Sequence, residues 1–222
     1  MRLLLIRHGQ TTSNVEGALD TARPGASLTA LGRAQAAAIP SVIGTEPITA
    51  VYASPLVRTQ QTAAPLAAHH GFDAEVREGL EEISAGDYEM RTDEAAVHGY
   101  MQAAWRWTHG ELDFRVEGGE SGEEFFARFD RAITQIAAAN DAAAVVSHGA
   151  AIRVWTANRA TNVNAVETVQ RRLHNTGMTV LEGSPEAGWA LVEWHEDPLG
   201  GALLEGSTAH DVTGDPEAEP AQ

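Results

Sequence analysis

Two short apolar runs, each cut off by a histidine and a glycine, constrain this chain more than any other feature. Leu3, Leu4, Leu5 and Ile6 form the first, stopped by Arg7-His8-Gly9. Ala142 to Val146 form the second, stopped by Ser147-His148-Gly149. Neither run alternates apolar with polar, so each reads as a central strand covered on both faces, the pattern of parallel sheets. Two neighbouring parallel strands would bring His8 and His148 to the same end of one sheet. Open α/β sheets bind ligands at that end, outside the carboxyl termini of their strands. Gly9 is expected to permit a tight turn there, and Arg7 offers a planar fork that fits phosphate oxygens.

The segments between supply the helices such a sheet needs. Residues 28–39 predict a helix with Leu31, Ala34 or Gln35, Ala38 and Ile39 on one face, ended or kinked by Pro40. Residues 49–53 predict a second buried strand, after which Ser54 as N-cap and Pro55 at the first helical position open a helix. Arg58 falls in the first turns of that helix, where the dipole disfavours a cation and a bound anion would remove the conflict. Asp73 to Val76 suit a third strand, leading into the loop Leu80–Gly86 with adjacent carboxylates at Glu81 and Glu82. Residues 91–117 carry Tyr100, Trp105, Trp107 and Phe114 and are read as helices of a lid; His98 and His109 there lack metal-ligand spacing. Ser121 and Glu124 form a capping box ahead of a core stripe of Phe125, Phe129, Ile133 and Ile136. Residues 177–182 and 189–194 predict a final strand pair.

The 222 residues, 43% of them hydrophobic, fit one α/β domain. Its expected extent is 1–204, with 87–117 as a lid-like insertion, and the polar, acidic stretch 205–222 is expected to be a disordered tail. The absence of cysteine excludes disulfides, thiolate metal sites and a cysteine nucleophile together. The opening apolar run is too short for a signal-peptide core or a membrane span, so a soluble cytoplasmic protein is expected. A formal charge of −16 argues against nucleic-acid partners and anionic membrane surfaces. It also repels a phosphorylated metabolite at long range, so any anion site must concentrate a few arginines.

Taken together the motifs resemble the histidine phosphatase superfamily, in its phosphoglycerate mutase-like branch. The resemblance runs through Arg7-His8-Gly9-x-Thr11-x-x-Asn14, Leu28-Thr29-x-x-Gly32-x-x-Gln35-Ala36 and Ser54-Pro55-x-x-Arg58-x-x-Gln61-Thr62-Ala63. It continues in Leu80-x-Glu82-Ile83, Gly118-Gly119-Glu120-Ser121 and Ser147-His148-Gly149, covering about residues 1–195. It implies a three-layer α/β/α sandwich on a mostly parallel sheet. It further implies that His8 is the phosphorylated nucleophile and Glu82 the proton donor. Arg7, Arg58 and His148 would complete the phosphate pocket, with Asn14 and Gly149 lining it. The implied activity is a metal-independent phosphomonoesterase, without a cofactor, acting on a small phosphorylated metabolite; dimers occur in the family.

Three departures from the family pattern matter; the first two leave the chemistry untouched, and the second lies on the substrate side and blurs specificity. Gln10 stands where many members carry Glu, and Ser84 to Glu89 replace a commoner Phe-Gly-x-Trp-Glu-Gly run. Residues 87–117 hold Arg91, Arg106 and Arg115 but no adjacent arginine pair, which favours hydrolysis over a cofactor-dependent phosphoglycerate mutase. A non-catalytic member that binds phosphorylated ligands is the other alternative, and this chain keeps Arg7, His8, Arg58, Glu82 and His148. The aromatic stretch 91–117 argues against a protein phosphohistidine phosphatase, which has an open site.

Overall fold

A computed structural model describes residues 1–206 together with Thr213 and Gly214. Of the stretch 205–222, read as a disordered tail, only Glu205, Gly206, Thr213 and Gly214 therefore fall within the described residues. Six strands make one sheet: β1 (Arg2–Arg7), β2 (Ala50–Ala53), β3 (Glu75–Val76), β4 (Ala142–Ser147), β5 (Met178–Ser184) and β6 (Gly188–His195). Their order is β3-β2-β4-β1-β5-β6. The first four run parallel, β5 lies antiparallel to β1, and β6 antiparallel to β5. Arg7 pairs with Ser147 in the β1–β4 register, so the chain leaves both strands side by side at His8 and His148.

The unbroken apolar run of β1 has a direct structural cause. Strand side chains alternate between faces, and here each face meets its own core. Leu3 and Leu5 pack with Ala143, Val145, Phe129 and Trp155, whereas Leu4 and Ile6 pack with Ala144, Val146, Ile39 and Leu66. Helices α2 (Ala30–Ile43) and α3 (Val57–His70) supply the second core. Helices α4 (Glu94–Thr108), α5 (Gly122–Ala139) and α6 (Gly149–Arg159) supply the first. Two short helices, α1 (Thr12–Glu16) and α7 (Ala165–Val169), complete the seven among the described residues. The result is the three-layer α/β/α sandwich with a mostly parallel sheet. Among the described residues no helix is long and apolar enough to cross a membrane.

Several local expectations are corrected. Pro40 does not end α2, which continues to Ile43 and stops at Gly44. Its buried face is Gly32, Gln35, Ala36, Ile39 and Ile43, so packing of Ile43 beyond the proline outweighs a local cost of about 3 kcal/mol. Helix α3 begins at Val57 with Leu56 as N-cap, not at Pro55 with Ser54, and it has no side-chain cap bond. The third strand is only two exposed residues at the sheet edge. The stretch read as lid helices holds one long helix, α4, whose Tyr100 and Trp107 are fully buried in the first core. The capping box of Ser121 and Glu124 is present, and Phe125, Phe129, Ile133 and Ile136 are buried as the stripe requires.

Candidate active site

The end of β1 is laced on both sides before it releases His8. His8 N donates to Ser147 O at 3.0 Å, Arg7 N to Gly177 O at 2.9 Å and Thr176 N to Arg7 O at 3.1 Å. Gly9 is required here for a reason other than a turn. A Cβ at that position would stand 2.6 Å from the Gly32 carbonyl at the start of α2. The backbone between the two motifs touches directly, and Gly9 N donates to Thr62 Oγ1 at 3.0 Å. Gln10 turns away from the site, accepting from Thr29 Oγ1 at 2.9 Å.

His8 is 2% exposed, and its Nδ1 lies 2.8 Å from Gly9 O. A carbonyl only accepts, so Nδ1 carries the proton and Nε2 keeps its lone pair. The His148 ring lies 5.3 Å away, centroid to centroid, at 63°. His148 Nε2 bonds Ser54 Oγ at 2.8 Å, and Ser54 Oγ also meets Thr59 Oγ1 at 2.9 Å. Ser54 thus orients the second imidazole instead of capping α3. His148 Nδ1 is buried without a hydrogen-bond partner.

Arg58, the second residue of α3, is 3% exposed. Its Nη2 donates to Asp20 O at 2.7 Å, and its Nη1 lies 3.6 Å from the Asp20 carboxylate without a hydrogen-bond partner. The cation at a helix N-terminus is therefore compensated from within the chain by Asp20, which sequence reasoning missed. Arg7 is fully buried, donating from Nη1 to Leu173 O at 2.8 Å and from Nη2 to Thr213 Oγ1 at 3.0 Å.

Glu82 is 3% exposed, and its carboxyl oxygens accept from Ile83 N, Ala150 N and Ala151 N at 2.9, 3.1 and 2.7 Å. It sits on the N-terminal amides of α6, one turn from His148. The loop that carries it is clamped by Arg128, which donates to Gly79 O, Glu81 O and Glu82 O at 2.8–3.0 Å. Glu120 holds Arg128 in turn at 2.6 and 2.8 Å, which gives the Gly118–Ser121 motif its structural use. Neither Arg128 nor its role carried a sequence signal. Glu81 faces the other way, accepting from Gly79 N at 2.7 Å and pairing with Arg23.

His8, Asn14, Asp20, Arg58, Glu82 and Thr213 line one cavity. Asn14 Oδ1 accepts from Thr11 N and Oγ1, both at 3.0 Å, inside the capping box of α1. Gly149 opens α6, and a Cβ there would stand 2.9 Å from Arg7 Nε. His98 and His109 stay out of the cavity. Among the described residues one group has metal-ligand proximity, His174, Asp197 and Glu205, with both carboxylates exposed and none of the three in the cavity.

The sequence profile of the histidine phosphatase superfamily, branch 1, matches residues 3–197. The chain belongs to this superfamily. Among curated relatives, a PE-PGRS family protein of Mycobacterium tuberculosis is 35% identical over 216 residues, 90% of this chain. The match spans only 37% of that longer relative. A glucosyl-3-phosphoglycerate phosphatase of the same organism is 28% identical over 214 residues, 89% of this chain and 87% of the relative. A solved structure of a mycobacterial glucosyl-3-phosphoglycerate phosphatase with VO3 superposes with a TM-score of 0.74 at 26% identity, covering 88% of this chain and 99% of that one.

The electrostatics of this histidine phosphatase follow from burial. Desolvation pushes the His8 pKa well below the ordinary imidazole value, helped by the Arg58 and Arg7 charges. His148 is pushed down in the same way, by burial first and then by Arg58. Burial raises the pKa of Glu82 against the opposing pull of its three backbone donors. Two buried neutral imidazoles have a consequence for stability. Below pH about 6.5 the unfolded chain binds protons that the folded histidines refuse, so each contributes stability that is lost as pH falls, at most about 1.4 kcal/mol per pH unit. Glu82 acts with the opposite sign above its unfolded value of about 4.3, cancelling one histidine in part. Urea unfolding of the ligand-free enzyme is therefore expected to show lower stability at pH 5.5 than at pH 7.5. A flat or inverted profile would mean that the folded imidazoles take up protons freely.

Proposed function

We propose that the chain is a metal-independent phosphomonoesterase that works through a phosphohistidine on His8. One observation carries the reading: a tautomer-fixed, buried imidazole shares a cavity with an arginine donor that has no hydrogen-bond partner and a carboxyl biased toward its neutral form. His8 Nε2 attacks phosphorus, the bond to the leaving oxygen breaks, and the Glu82 proton passes to that oxygen. Water then attacks the phosphoimidazole, Glu82 as carboxylate takes the proton, and the P–N bond breaks to release orthophosphate and His8. Arg7, Arg58 and His148 Nδ1 are assigned to the equatorial oxygens, where the transition state spreads its charge. A phosphate oxygen at His148 Nδ1 selects the tautomer in which Ser54 donates to Nε2.

The substrate is read as a small phosphorylated metabolite. Glu82 lines both the catalytic cavity and an adjoining groove of about 810 Å³. The leaving oxygen must touch Glu82, so the rest of the substrate extends into that groove. Arg23, Ser84, Arg128 and Arg131 line it, together with Glu78 and Glu120, a polar wall suited to hydroxyl-rich groups. This agrees with a relative named for a glucosyl-phosphoglycerate substrate.

Hydrolysis of p-nitrophenyl phosphate tests the reading. Activity is expected to survive excess EDTA, because the arginines take the role that a divalent ion plays elsewhere. Acid-labile, base-stable phosphoprotein should accumulate in rapid-quench samples. Activity abolished by chelation and restored by a divalent ion would sink the proposal.

A further inference from the structure

Two residues from far along the chain pack beside the catalytic cavity, and one of them, Thr213, lines it with His8, Arg58 and Glu82. The Thr213 Oγ1 accepts from Arg7 Nη2 at 3.0 Å across 206 positions of sequence. Gly214 is buried, and its carbonyl accepts from Leu173 N at 3.0 Å and from Arg153 Nη1 at 3.4 Å. The Leu173 carbonyl in turn accepts from Arg7 Nη1 at 2.8 Å. These contacts close a circuit: Leu173 and Thr213 hold the two terminal nitrogens of Arg7, and Leu173 is bonded to the residue beside Thr213.

Gly149 reports on the same packing. A Cβ there would lie 2.4 Å from the Thr213 carbonyl, so the start of α6 accommodates the docked pair only as glycine. Residues 213 and 214 therefore form part of the wall packed against Arg7 and the start of α6.

We infer that Thr213 is a positioning residue for the phosphate pocket, its hydroxyl fixing the plane of the Arg7 guanidinium. The inference rests on the proposed assignment of Arg7 to the phosphoryl group. A guanidinium presents its donors in one rigid plane. Holding both terminal nitrogens by acceptors of the wall sets the direction of the remaining N–H bonds. Bidentate recognition of phosphate depends on that direction as much as on charge.

The test uses the full chain with Thr213→Val, which keeps the shape and removes the oxygen, and Thr213→Ser, which keeps the oxygen. Thr213→Val is expected to lower kcat/KM for p-nitrophenyl phosphate about 10-fold, the scale of a lost hydrogen bond to a charged group. The inhibition constant of orthophosphate should rise in step. Thr213→Ser should recover most of both effects. In an Arg7→Lys background, Thr213→Val should add little, because the circuit is already broken. Thermal melts of each variant separate these effects from loss of fold, and orthophosphate-dependent melting shifts give a binding readout even for a weakened variant.

Normal kinetics in Thr213→Val would overturn the inference. So would tighter orthophosphate binding, which would make the hydroxyl an obstruction in the phosphate site. Equal damage in both variants would overturn it as well, because the side-chain oxygen would then not matter. If Arg7→Lys itself leaves activity intact, the phosphatase assignment of Arg7 falls and takes the inference with it. The Thr213 outcomes alone leave that assignment standing.

Discussion

Replacing His8 by Gln is expected to lower turnover of p-nitrophenyl phosphate by a factor on the order of 10⁶, the scale seen when a nucleophile and its covalent route are removed. The size follows from what remains. In the proposed mechanism Arg58, Arg7 and His148 hold the phosphoryl group and are retained, so binding should persist and some electrostatic stabilisation with it. What is lost is the attacking nitrogen, and no neighbour replaces it. His148 is 5.3 Å away by ring centroid, but its Nε2 is held by Ser54. Orthophosphate should accordingly still inhibit or stabilise His8→Gln within about tenfold of the unmodified enzyme, because the donors assigned to phosphate, on Arg7, Arg58 and His148, are all retained. Rapid-quench labelling gives the second readout. The unmodified enzyme should carry acid-labile, base-stable phosphate, and His8→Gln should carry none. Label that survives this substitution would move the nucleophile to His148 and invert the roles of the two imidazoles.

The parts of this site that were legible in the sequence are those tied to short-range pattern. The apolar runs before His8 and His148 announced buried parallel strands, since each residue of such a strand faces one of two cores. The capping box at Ser121 is local chemistry within four residues, and it formed as read. Ser54 shows the limit of such reading. Its identity and spacing suit an N-cap, yet its oxygen bonds His148, which lies 94 positions away. Pro40 shows the same limit in reverse, because the buried Ile43 beyond it carries the helix on. Arg58 signalled an anion at a helix terminus, but the carboxylate that meets it, Asp20, carries no motif. Arg128 is hidden for a similar reason: it clamps three carbonyls of the Glu82 loop, and backbone carbonyls leave no trace in a sequence. Thr213 lies in a stretch whose composition reads as tail, while its contact with Arg7 spans nearly the whole chain. Long-range polar contacts thus account for most of what was missed.

The carboxylate pair at 81 and 82 gives the sharpest division between roles. Glu82→Gln is expected to slow hydrolysis of alkyl phosphates by roughly 10²–10⁴-fold, the usual worth of general acid catalysis. Burial already biases Glu82 toward the neutral acid, as a proton donor requires, and glutamine fills the same space without a transferable proton. p-Nitrophenyl phosphate should suffer less in the first step, because nitrophenolate leaves without a proton. His8 is then phosphorylated readily, while hydrolysis of the phosphoimidazole, deprived of its base, lags behind. A burst of nitrophenol followed by slow turnover is the expected trace, with phosphohistidine accumulating in quenched samples. Glu81→Gln should stay within about fivefold of normal, since it loses a partly exposed pairing with Arg23. The loop itself remains clamped through its carbonyls by Arg128. Glu89 is tied to Thr21 N and Oγ1 and to Ala22 N, so it is not free to substitute as the acid. A crippled Glu81→Gln beside a near-normal Glu82→Gln would place the proton donor on the groove side of the loop and overturn the mechanism at this residue. If both variants were near normal, neither Glu81 nor Glu82 would be the acid, and Asp20, the other carboxylate lining the cavity, would be the next residue to replace.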